Sequence, residues 1–446
     1  GQVFHESLAM LAYGFMDPVS AMNSQRVYLE RQWPDGYINY RTGPYLNETI
    51  PYASQYTTSA PWYNWENWEL FKISQDTAFL QEIYPSGKQF YLYWLNNRDS
   101  DQDGLSEWGA HAVLECVRDG QVAIWDQVGW PSNFECLDLN CMLVNEAHSL
   151  AEIAEVLGLN AEAQMWSQEA TTRADSINKY MWDAQTGFYY HVDKIDHDFT
   201  FNSTGDLKRQ EIIGFLPLWA GIADSQQASQ LVQHLTDPNK FWRNYGVPTL
   251  SADDPYYNAM GYWNGPVWIQ WQYLIFRGLL NYGYADRARN LAFKVMDQVI
   301  DQLQENHWFW ELYSPDDRRA GWHKAYIWTG LVARMLIDLD SLSTPIRRRE
   351  NEIPATVELL QNFPNPFNPS TEIKFKIPRS QQVKLTVCDI LGRQVKNLLN
   401  KTLPAGTYAI NWDGTNEFEQ IVSSGIYFYR LETEKFTLTR KMILLR

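Results

Sequence analysis

The pattern that decides the fold is clearest at residues 261–282, which read GYWNGPVWIQWQYLIFRGLLNY. A polar and aromatic stretch comes first. Apolar residues then recur at three- and four-residue spacing, which predicts an amphipathic helix over 265–282. Gly283 ends that helix, and a second helical pattern covers 285–303. Because short connections favour antiparallel neighbours, we expect a helix pair with the aromatic stretch at one end.

The same pattern fills residues 1 to about 340, where long polar and aromatic loops interrupt the helices. The predicted helical segments are 5–15, 18–32, 62–74, 77–97, 138–157, 160–182, 209–223, 225–236, 265–282, 285–303 and 322–340. Antiparallel pairs with their loops on one side predict a closed helical toroid, the (α/α)6 barrel, whose inner helices ring a pocket. Six pairs need one helix more than these segments supply, so we expect the first helix to lie upstream of Gly1.

The periodicity changes near residue 357 from helical to alternating. Residues 341–356 contain two prolines and polar residues, which predicts a linker with Arg347, Arg348 and Arg349 as solvated charges. From Val357 to Arg446, short alternating segments separated by turns predict strands. The chain is therefore expected to be mainly α, with a small immunoglobulin-like β-sandwich at its C-terminal end.

Composition limits the classes of partner. The 446 residues carry a formal net charge of -16, which argues against nucleic acid, since phosphates need a basic surface. No run of about 18 apolar residues is present, so no membrane-spanning helix is predicted. The chain has 20 Trp, 26 Tyr and 20 Phe. Many lie beside amides and carboxylates in loops, which favours a carbohydrate site together with an aromatic core.

Four cysteines lack the spacing of a zinc site. Cys116 could form a disulfide with Cys136 or Cys141, and buried thiols are the equal alternative. The chain starts at Gly1 with neither Met nor a signal peptide, so we expect a trimmed start.

The C-terminal residues carry a specific resemblance. NFPNPFNPST at 362–371, DILGR at 389–393 and TRKMILLR at 439–446 occur in order. Together they closely resemble the C-terminal sorting domain of proteins exported by the type IX secretion system. The resemblance implies a bacterial protein that is secreted or displayed on the cell surface, with the type IX machinery as a partner.

The helical residues carry a second resemblance. DSDQDGLSEWG at 99–109, LDLN at 137–140, YWNGPVW at 262–268 and ELYSP at 311–315 occur in one order. This order resembles glycoside hydrolase family 63, especially its mannosylglycerate-hydrolase-like branch. The resemblance implies inverting hydrolysis of α-linked glucosides or mannosides by two carboxyl groups, with no cofactor for catalysis.

The resemblance assigns the two carboxyl groups. The acid precedes the LDLN helix and is Asp126 by position, with Asp119 and Glu135 as fallback acids. The alternative for Asp126 is a loop carboxylate that caps a helix. The base is Glu311, and its alternative is a structural ion pair with Arg318 or Arg319.

Six further residues are candidates for sugar binding, each with core packing or a solvated surface as its alternative. They are Glu6, Gln55, Trp108, Trp263, Asn264 and Tyr313. Asn264 stands where many relatives carry Arg, which argues against an acidic aglycone such as glycerate. Glu6 is a candidate because Phe4-His5-Glu6 occupies the place where relatives often show Trp-Asp.

Asp99, Asp101 and Asp103 with Gly104 resemble the start of a calcium loop. The twelfth position is Ala110 and not Glu, so the loop is not an EF-hand. We expect one structural Ca²⁺ completed by a distant carboxylate, and the alternative is an Asp-rich turn.

Two rival functions stay open. A trehalase- or glucoamylase-like hydrolase would share the barrel and the aromatic motifs. A non-catalytic surface protein that binds glycans would fit the altered Asn264 and Glu6 positions. A polysaccharide lyase is disfavoured, because the net charge of -16 repels an anionic polymer.

Overall fold

The structure is a computed structural model. It describes residues 3–43, 46–49, 51–52, 55–56, 58–108, 134–200, 207–343, 347–349, 356–362, 364–368, 370–418, 420–433 and 435–445. The chain divides into two compact units, Gly1–Met335 and Leu336–Arg446. The division falls inside the last helix, a few residues before the boundary at 340 that the sequence predicts.

Eleven α-helices lie in the described ranges, and two 3-10 helices precede the seventh and the eleventh. The helices are Val3–Tyr13 (α1), Pro18–Arg31 (α2), Tyr63–Ser74 (α3), Thr77–Asn97 (α4), Leu137–Val156 (α5), Asn160–Tyr180 (α6), Leu216–Trp219 (α7), Ser225–Leu235 (α8), Ile269–Asn281 (α9), Ala285–Asn306 (α10) and Gly330–Ser343 (α11). Each predicted segment overlaps one of them.

Local sequence signals explain several helix starts. Asp17 accepts a hydrogen bond of 3.0 Å from the backbone N–H of Ser20 at the start of α2, where Pro18 is the first helical residue. Asp224 and Gln227 form a capping box at the start of α8. The predicted helix over 322–340 was wrong at its beginning. Residues 320–324 form a strand instead, and α11 begins at Gly330.

Burial divides the helices into two layers. Helix α5 buries 15 of its 20 residues, whereas α6 beside it buries four of 21. Likewise α9 buries ten of 13 residues and α10 seven of 22. An inner helix is enclosed on all sides, while an outer helix buries one stripe. This alternation is what a helical toroid requires, as predicted.

Short strands lie in the loops that precede the inner helices. Those of the first unit are Arg41–Gly43 (β1), Leu46–Glu48 (β2), Pro51–Tyr52 (β3), Gln55–Tyr56 (β4), Phe134–Glu135 (β5), Trp182–Asp183 (β6), Phe188–Tyr189 (β7), Val192–Asp193 (β8), Trp310–Tyr313 (β9) and Ala320–Lys324 (β10). Strands β9 and β10 pair antiparallel, with Tyr313 opposite Ala320 and Trp310 opposite Lys324. This hairpin positions the candidate site.

The second unit consists of two four-stranded antiparallel sheets around one apolar core. Its strands are Arg347–Arg349 (β11), Glu358–Leu359 (β12), Thr371–Ile377 (β13), Gln381–Cys388 (β14), Gln394–Leu403 (β15), Gly406–Trp412 (β16), Gly425–Thr433 (β17) and Thr437–Leu444 (β18). The sheet orders are β11-β16-β13-β12 and β15-β14-β17-β18. This arrangement is the predicted β-sandwich, and the immunoglobulin-like topology stays a prediction.

The predicted linker needs a correction. Helix α11 continues to Ser343, and the backbone of Arg347–Arg349 forms a strand, so part of the predicted linker is regular structure, while the solvation of the arginine side chains stays a prediction. The reason is backbone pairing, since Arg347 lies opposite Ala409 and Arg349 opposite Thr407 at the edge of the first sheet.

Two sequence-level expectations concern the membrane and the cysteines. Within the described ranges, every helix is too short or too polar to cross a bilayer. Cys136, Cys141 and Cys388 are buried. Cys116, the residue expected to bridge to one of the first two, lies outside the described residues.

Candidate active site

The two aromatic segments of the sequence meet at the start of α9. The backbone N–H of Val267 donates to the carbonyl of Tyr313 at 2.7 Å, and that of Tyr313 donates to the carbonyl of Val267 at 3.0 Å. This bridge sets the segment 261–268 against strand β9. Glu311 of β9 thereby comes to lie beside the aromatic loop.

Glu311 is held by donors from two segments. Glu311 is 3 % exposed. The hydroxyl of Tyr262 donates to Oε1 at 3.0 Å. The backbone N–H of His323 donates to Oε2 at 3.3 Å, and ring nitrogen Nδ1 of His323 contacts the same oxygen. The carboxylate is thus oriented from both sides, as a group with a defined chemical task requires.

The arginines proposed as structural partners for Glu311 are paired elsewhere. Arg318 lies 3.2 Å from Asp301, and Arg319 lies 2.8 Å from Asp317. Neither arginine therefore serves as the guanidinium partner that the structural alternative for Glu311 required.

Trp263 packs against Trp268. The two rings are stacked, with centroids 3.8 Å apart and an interplanar angle of 16°. Trp263 is 4 % exposed. The ring of Tyr262 packs edge-on against both, at centroid distances of 5.2 and 5.0 Å. Trp263 therefore shapes the wall behind Tyr262, which corrects the expectation that it offers an open face to a sugar.

Tyr313 and Trp108 are also buried, at 0 and 1 % exposure. The Tyr313 hydroxyl accepts a hydrogen bond of 3.0 Å from the backbone N–H of Trp310. The indole of Trp108 donates to Asp138 at 3.2 Å. Both side chains have internal hydrogen-bond partners, which favours packing and orienting roles, and their proposed contact with substrate stays a prediction.

Asn264 is partly exposed and organises the aromatic loop. Its side-chain amide donates to the carbonyl of Tyr256 at 2.9 Å, and its backbone carbonyl accepts from the N–H of Asn258 at 2.8 Å. Its proposed contact with substrate stays a prediction.

Several predicted site residues fall outside the described part of the chain. Asp126 and the fallback Asp119 belong to residues 109–133, which are not described. The backbones of Glu6 and Gln55 lie in α1 and β4, but their side chains are not described. Their roles stay predictions.

Sequence reasoning missed two residues of the site, Trp322 and His323. Both lie on β10, where a helix was predicted. Trp322 is 58 % exposed, and the side chain of His323 is 74 % exposed. Once strand β9 is known, the segment after the turn at Asp316 is its nearest available partner, because an isolated strand needs one.

The predicted calcium loop is a tight turn closed by its own first aspartate. Asp99 accepts from the backbone N–H groups of Asp103 and Gly104, each at 3.1 Å. Asp103 accepts from Leu105 at 2.8 Å and lies 2.5 Å from Nε2 of His197. Asp99 and Asp103 therefore already use much of their hydrogen-bond-accepting capacity on partners in the protein.

A buried carboxylate faces this loop from strand β5. Oxygens of Asp101, Glu107 and Glu135 lie within 4.8 Å of one another. Glu135 is 0 % exposed, and neither of its oxygens has a hydrogen-bond partner among the described residues. Burial raises the pKa of Glu135 to about 9, and the neighbouring carboxylates, Glu107 first, add to the rise. The role of Glu135 as fallback acid stays a prediction.

The cavity of about 680 Å³ described in this unit is a separate feature. It opens among α3, α5 and α9, where Glu69, Asn145 and Arg277 line it. Glu311 lies at the opposite, N-terminal end of α9, a helix of 13 residues and about 20 Å. The cavity therefore does not contain the candidate base.

Comparison with known proteins places this geometry in a family. The sequence profile of the mannosylglycerate hydrolase MGH1-like glycoside hydrolase domain matches residues 7–329. The chain belongs to this MGH1-like glycoside hydrolase family. The match spans most of the chain and includes Tyr262, Glu311 and His323.

Curated relatives of the MGH1-like domain include several glycosidases. A probable mannosyl-oligosaccharide glucosidase of Schizosaccharomyces pombe is 24 % identical over 72 % of this chain and 41 % of its own length. A mannosylglycerate hydrolase of Rubrobacter radiotolerans is 27 % identical over 45 % of this chain and 42 % of its own length. The chain therefore spans about two fifths of these relatives.

Solved structures agree with the fold of the MGH1-like domain. A GH63 mannosylglycerate hydrolase from Thermus thermophilus, in complex with glucose, superimposes with a TM-score of 0.61 at 20 % identity. The alignment covers 76 % of this chain and 93 % of that one. The likeness supports the helical toroid.

The C-terminal unit has its own match. The secretion system C-terminal sorting domain matches residues 361–445. This match confirms the predicted sorting domain and indicates export to the cell surface or beyond.

Proposed function

We propose that this chain is an exported, inverting glycoside hydrolase that cleaves α-linked glucosides or mannosides. The observation that carries the proposal is Glu311, a buried carboxylate in a family-specific segment that is oriented by Tyr262 and His323. The two arginines named for the structural alternative, Arg318 and Arg319, pair with Asp301 and Asp317 instead.

Glu311 is proposed as the general base. An ionised carboxylate has about four lone-pair sites, so the donors of Tyr262 and His323 leave room for a water molecule. Glu311 would take a proton from that water as it attacks the anomeric carbon. The hydrogen bond from Tyr262 fixes the direction in which the remaining lone pairs point.

Asp126 is proposed as the general acid. The only support for this assignment is its place in the sequence order of the family's motifs. It would protonate the glycosidic oxygen as the bond to the anomeric carbon breaks. Inversion requires about 6.5–9.5 Å between the two carboxyl groups, so that a water molecule fits between the sugar and the base.

A neutral sugar substrate suits the loop around Asn264. The side chain of Asn264 supplies an uncharged amide, and that amide is engaged with Tyr256. Relatives are named as mannosylglycerate hydrolases, a mannosyl-oligosaccharide glucosidase and trehalases. An α-glucoside or α-mannoside without an acidic aglycone fits the uncharged Asn264 and the glucosidase and trehalase names, whereas mannosylglycerate itself carries an acidic aglycone.

We also propose one structural Ca²⁺, which Asp101, Glu107 and Glu135 would hold. Hard carboxylate oxygens are the ligands that Ca²⁺ prefers. The fully buried carboxylate of Glu135, unpartnered among the described residues, supports the site, because such a group is costly unless a proton or a cation neutralises it. The ligand set differs from the predicted Asp99, Asp101 and Asp103, since Asp99 closes the turn.

Hydrolysis of a defined panel tests the proposal. Methyl α-glucoside, methyl α-mannoside, trehalose, mannosylglycerate and α-linked disaccharides would be incubated with the wild type and with Glu311→Gln. The expected result is release of glucose or mannose by the wild type and loss of release in the variant. Sugar binding without release by the wild type would favour the non-catalytic, glycan-binding alternative and contradict the proposal.

A further inference from the structure

Strand β10 is irregular directly opposite Glu311. Gly321 pairs with Leu312 and Lys324 pairs with Trp310, so Trp322 and His323 face the single residue Glu311. Two residues opposite one define a β-bulge, a feature that re-aims side chains and is common beside active sites. Here the bulge brings the backbone N–H of His323 to Glu311 at 3.3 Å.

Trp322 occupies a backbone conformation that suits glycine. Its φ is +69°, in the left-handed region that bulky residues rarely adopt. Glycine would adopt the same conformation without steric cost. A tryptophan at this point of the bulge is therefore not explained by local backbone preference.

Burial does not explain Trp322 either. Its exposure of 58 % is the largest of any tryptophan in the described ranges. The ring contacts Tyr262 edge-on, with centroids 4.9 Å apart. Most of its apolar surface is thus left to solvent, one residue away from a side chain that touches the candidate base.

We propose that Trp322 is a sugar-binding residue at the rim of the site, where its ring stacks on a pyranose ring of the substrate. The inference rests on the proposed function. Aromatic faces bind the apolar C–H faces of sugars, and this ring stands next to Tyr262, which holds Glu311. A bound sugar would cover the exposed ring and account for a tryptophan at a position that favours glycine.

The other aromatic candidates nearby are less available. Trp263 is stacked on Trp268. Trp308 is 42 % exposed, but the ammonium group of Lys324 lies over its ring at 4.9 Å. Trp308 therefore supplies a matched control, since it is an exposed tryptophan near the same hairpin whose ring already has a partner.

The decisive variant is Trp322→Gly. Because glycine favours this φ, we expect its unfolding temperature to equal or exceed that of the wild type. We expect KM to rise about five- to tenfold with a smaller change in kcat, since stacking is made in the bound ground state as well. Trp322→Phe should recover most of the loss, and Trp308→Ala should leave KM unchanged.

Binding is measured separately from catalysis. Methyl α-glucoside and methyl α-mannoside would be titrated calorimetrically into Glu311→Gln with and without Trp322→Gly. A sugar affinity about five- to tenfold lower in the double variant than in Glu311→Gln supports the role of Trp322. This result would stand even if the wild type proves inactive and the proposed function fails. Equal affinities, or an unchanged KM in Trp322→Gly, would overturn the role of Trp322 and leave the proposed function standing.

Discussion

The hydroxyl of Tyr262 lies 3.0 Å from Oε1 of Glu311 and donates a hydrogen bond to it. The two residues are 49 positions apart in the chain. They meet because the segment before α9 pairs with strand β9 through Val267 and Tyr313. The two aromatic motifs of the sequence therefore form one structure around one carboxylate.

Removal of this hydrogen bond should impair catalysis more than stability. We expect Tyr262→Phe to lower kcat about tenfold, because a hydrogen bond to a charged group contributes about 1.5–3 kcal/mol and part of it serves to orient the base. Steady-state kinetics on the released sugar would measure the change.

Tyr257→Phe is the matched control for that variant. Its hydroxyl donates to Asp316 at 2.8 Å in the neighbouring loop, away from the hydrogen bonds that hold Glu311. It should change kcat less than about twofold, since its partner lies outside the site. Equal losses in both variants would show that loop packing, and not the orientation of Glu311, is responsible.

Calcium should stabilise the helical unit through Glu135. An ion that binds the folded state at about a hundredfold excess over its Kd contributes about 2.7 kcal/mol. We expect the unfolding temperature to rise with CaCl₂ and to fall with a chelator. Glu135→Gln should abolish the response and unfold at a higher temperature than the metal-free wild type, because the metal-free carboxyl must take up a proton to be buried whereas the amide is already neutral.

Mg²⁺ is the ion control for this measurement, since it prefers a smaller octahedral shell and retains its waters. An unfolding temperature that ignores Ca²⁺ in the wild type, or that still responds to it in Glu135→Gln, would contradict the proposed ion site.

The buried ion cluster around Glu69 should dominate the stability of the α1–α3 region. Arg334 lies 2.9 Å from Glu69 and also donates to the carbonyl of Leu11 at 2.8 Å. Loss of a hydrogen bond to a charged group costs about 1.5–3 kcal/mol, and the cost stays in this range because Lys72 and Arg277 still compensate the charge of Glu69. We expect that loss in the free energy of unfolding of Arg334→Met, measured with urea. In Arg26→Met, which breaks the exposed pair of Arg26 with Glu82, the loss should stay below about 1 kcal/mol.

The same cluster predicts an acid limit to stability. Burial alone would raise the pKa of Glu69, but Lys72, Arg277 and Arg334 outweigh it and lower the pKa to about 2. A lowered pKa in the folded state means that this contribution is fully present above the unfolded pKa of 4.5 and is lost as the pH falls towards 2. Below about pH 4.5, where the raised pKa of Glu135 no longer acts in the opposite sense, unfolding in urea down to about pH 3 should show this decline, and a flat profile would contradict it.

Local patterns predicted much of this fold. The helical periodicity of 137–156 or 269–281 depends on neighbours three and four residues away, so the sequence carries it directly. The strand at Ala320–Lys324 was missed because it depends on pairing with β9 and on a left-handed Trp322. Such pairing is a long-range effect that periodicity does not report.

The site was predicted only in part, because long-range packing also decides which motif residues reach it. Glu311 follows from a motif, and its environment agrees with the motif's role. Trp263 and Tyr313 belong to the same motifs, but Trp268 covers the first and the bridge to Val267 buries the second. A motif names residues near a site, whereas packing decides which of them face the ligand.

The most direct test of the central claim is proton NMR of the anomer first released from an α-linked substrate, with wild type and Glu311→Gln side by side. The account predicts that the β-anomer appears first and that the variant, correctly folded by circular dichroism, releases sugar at least about a hundredfold more slowly. Initial release of the α-anomer, or a variant as active as the wild type, would contradict the assignment of Glu311 as the base of an inverting hydrolase.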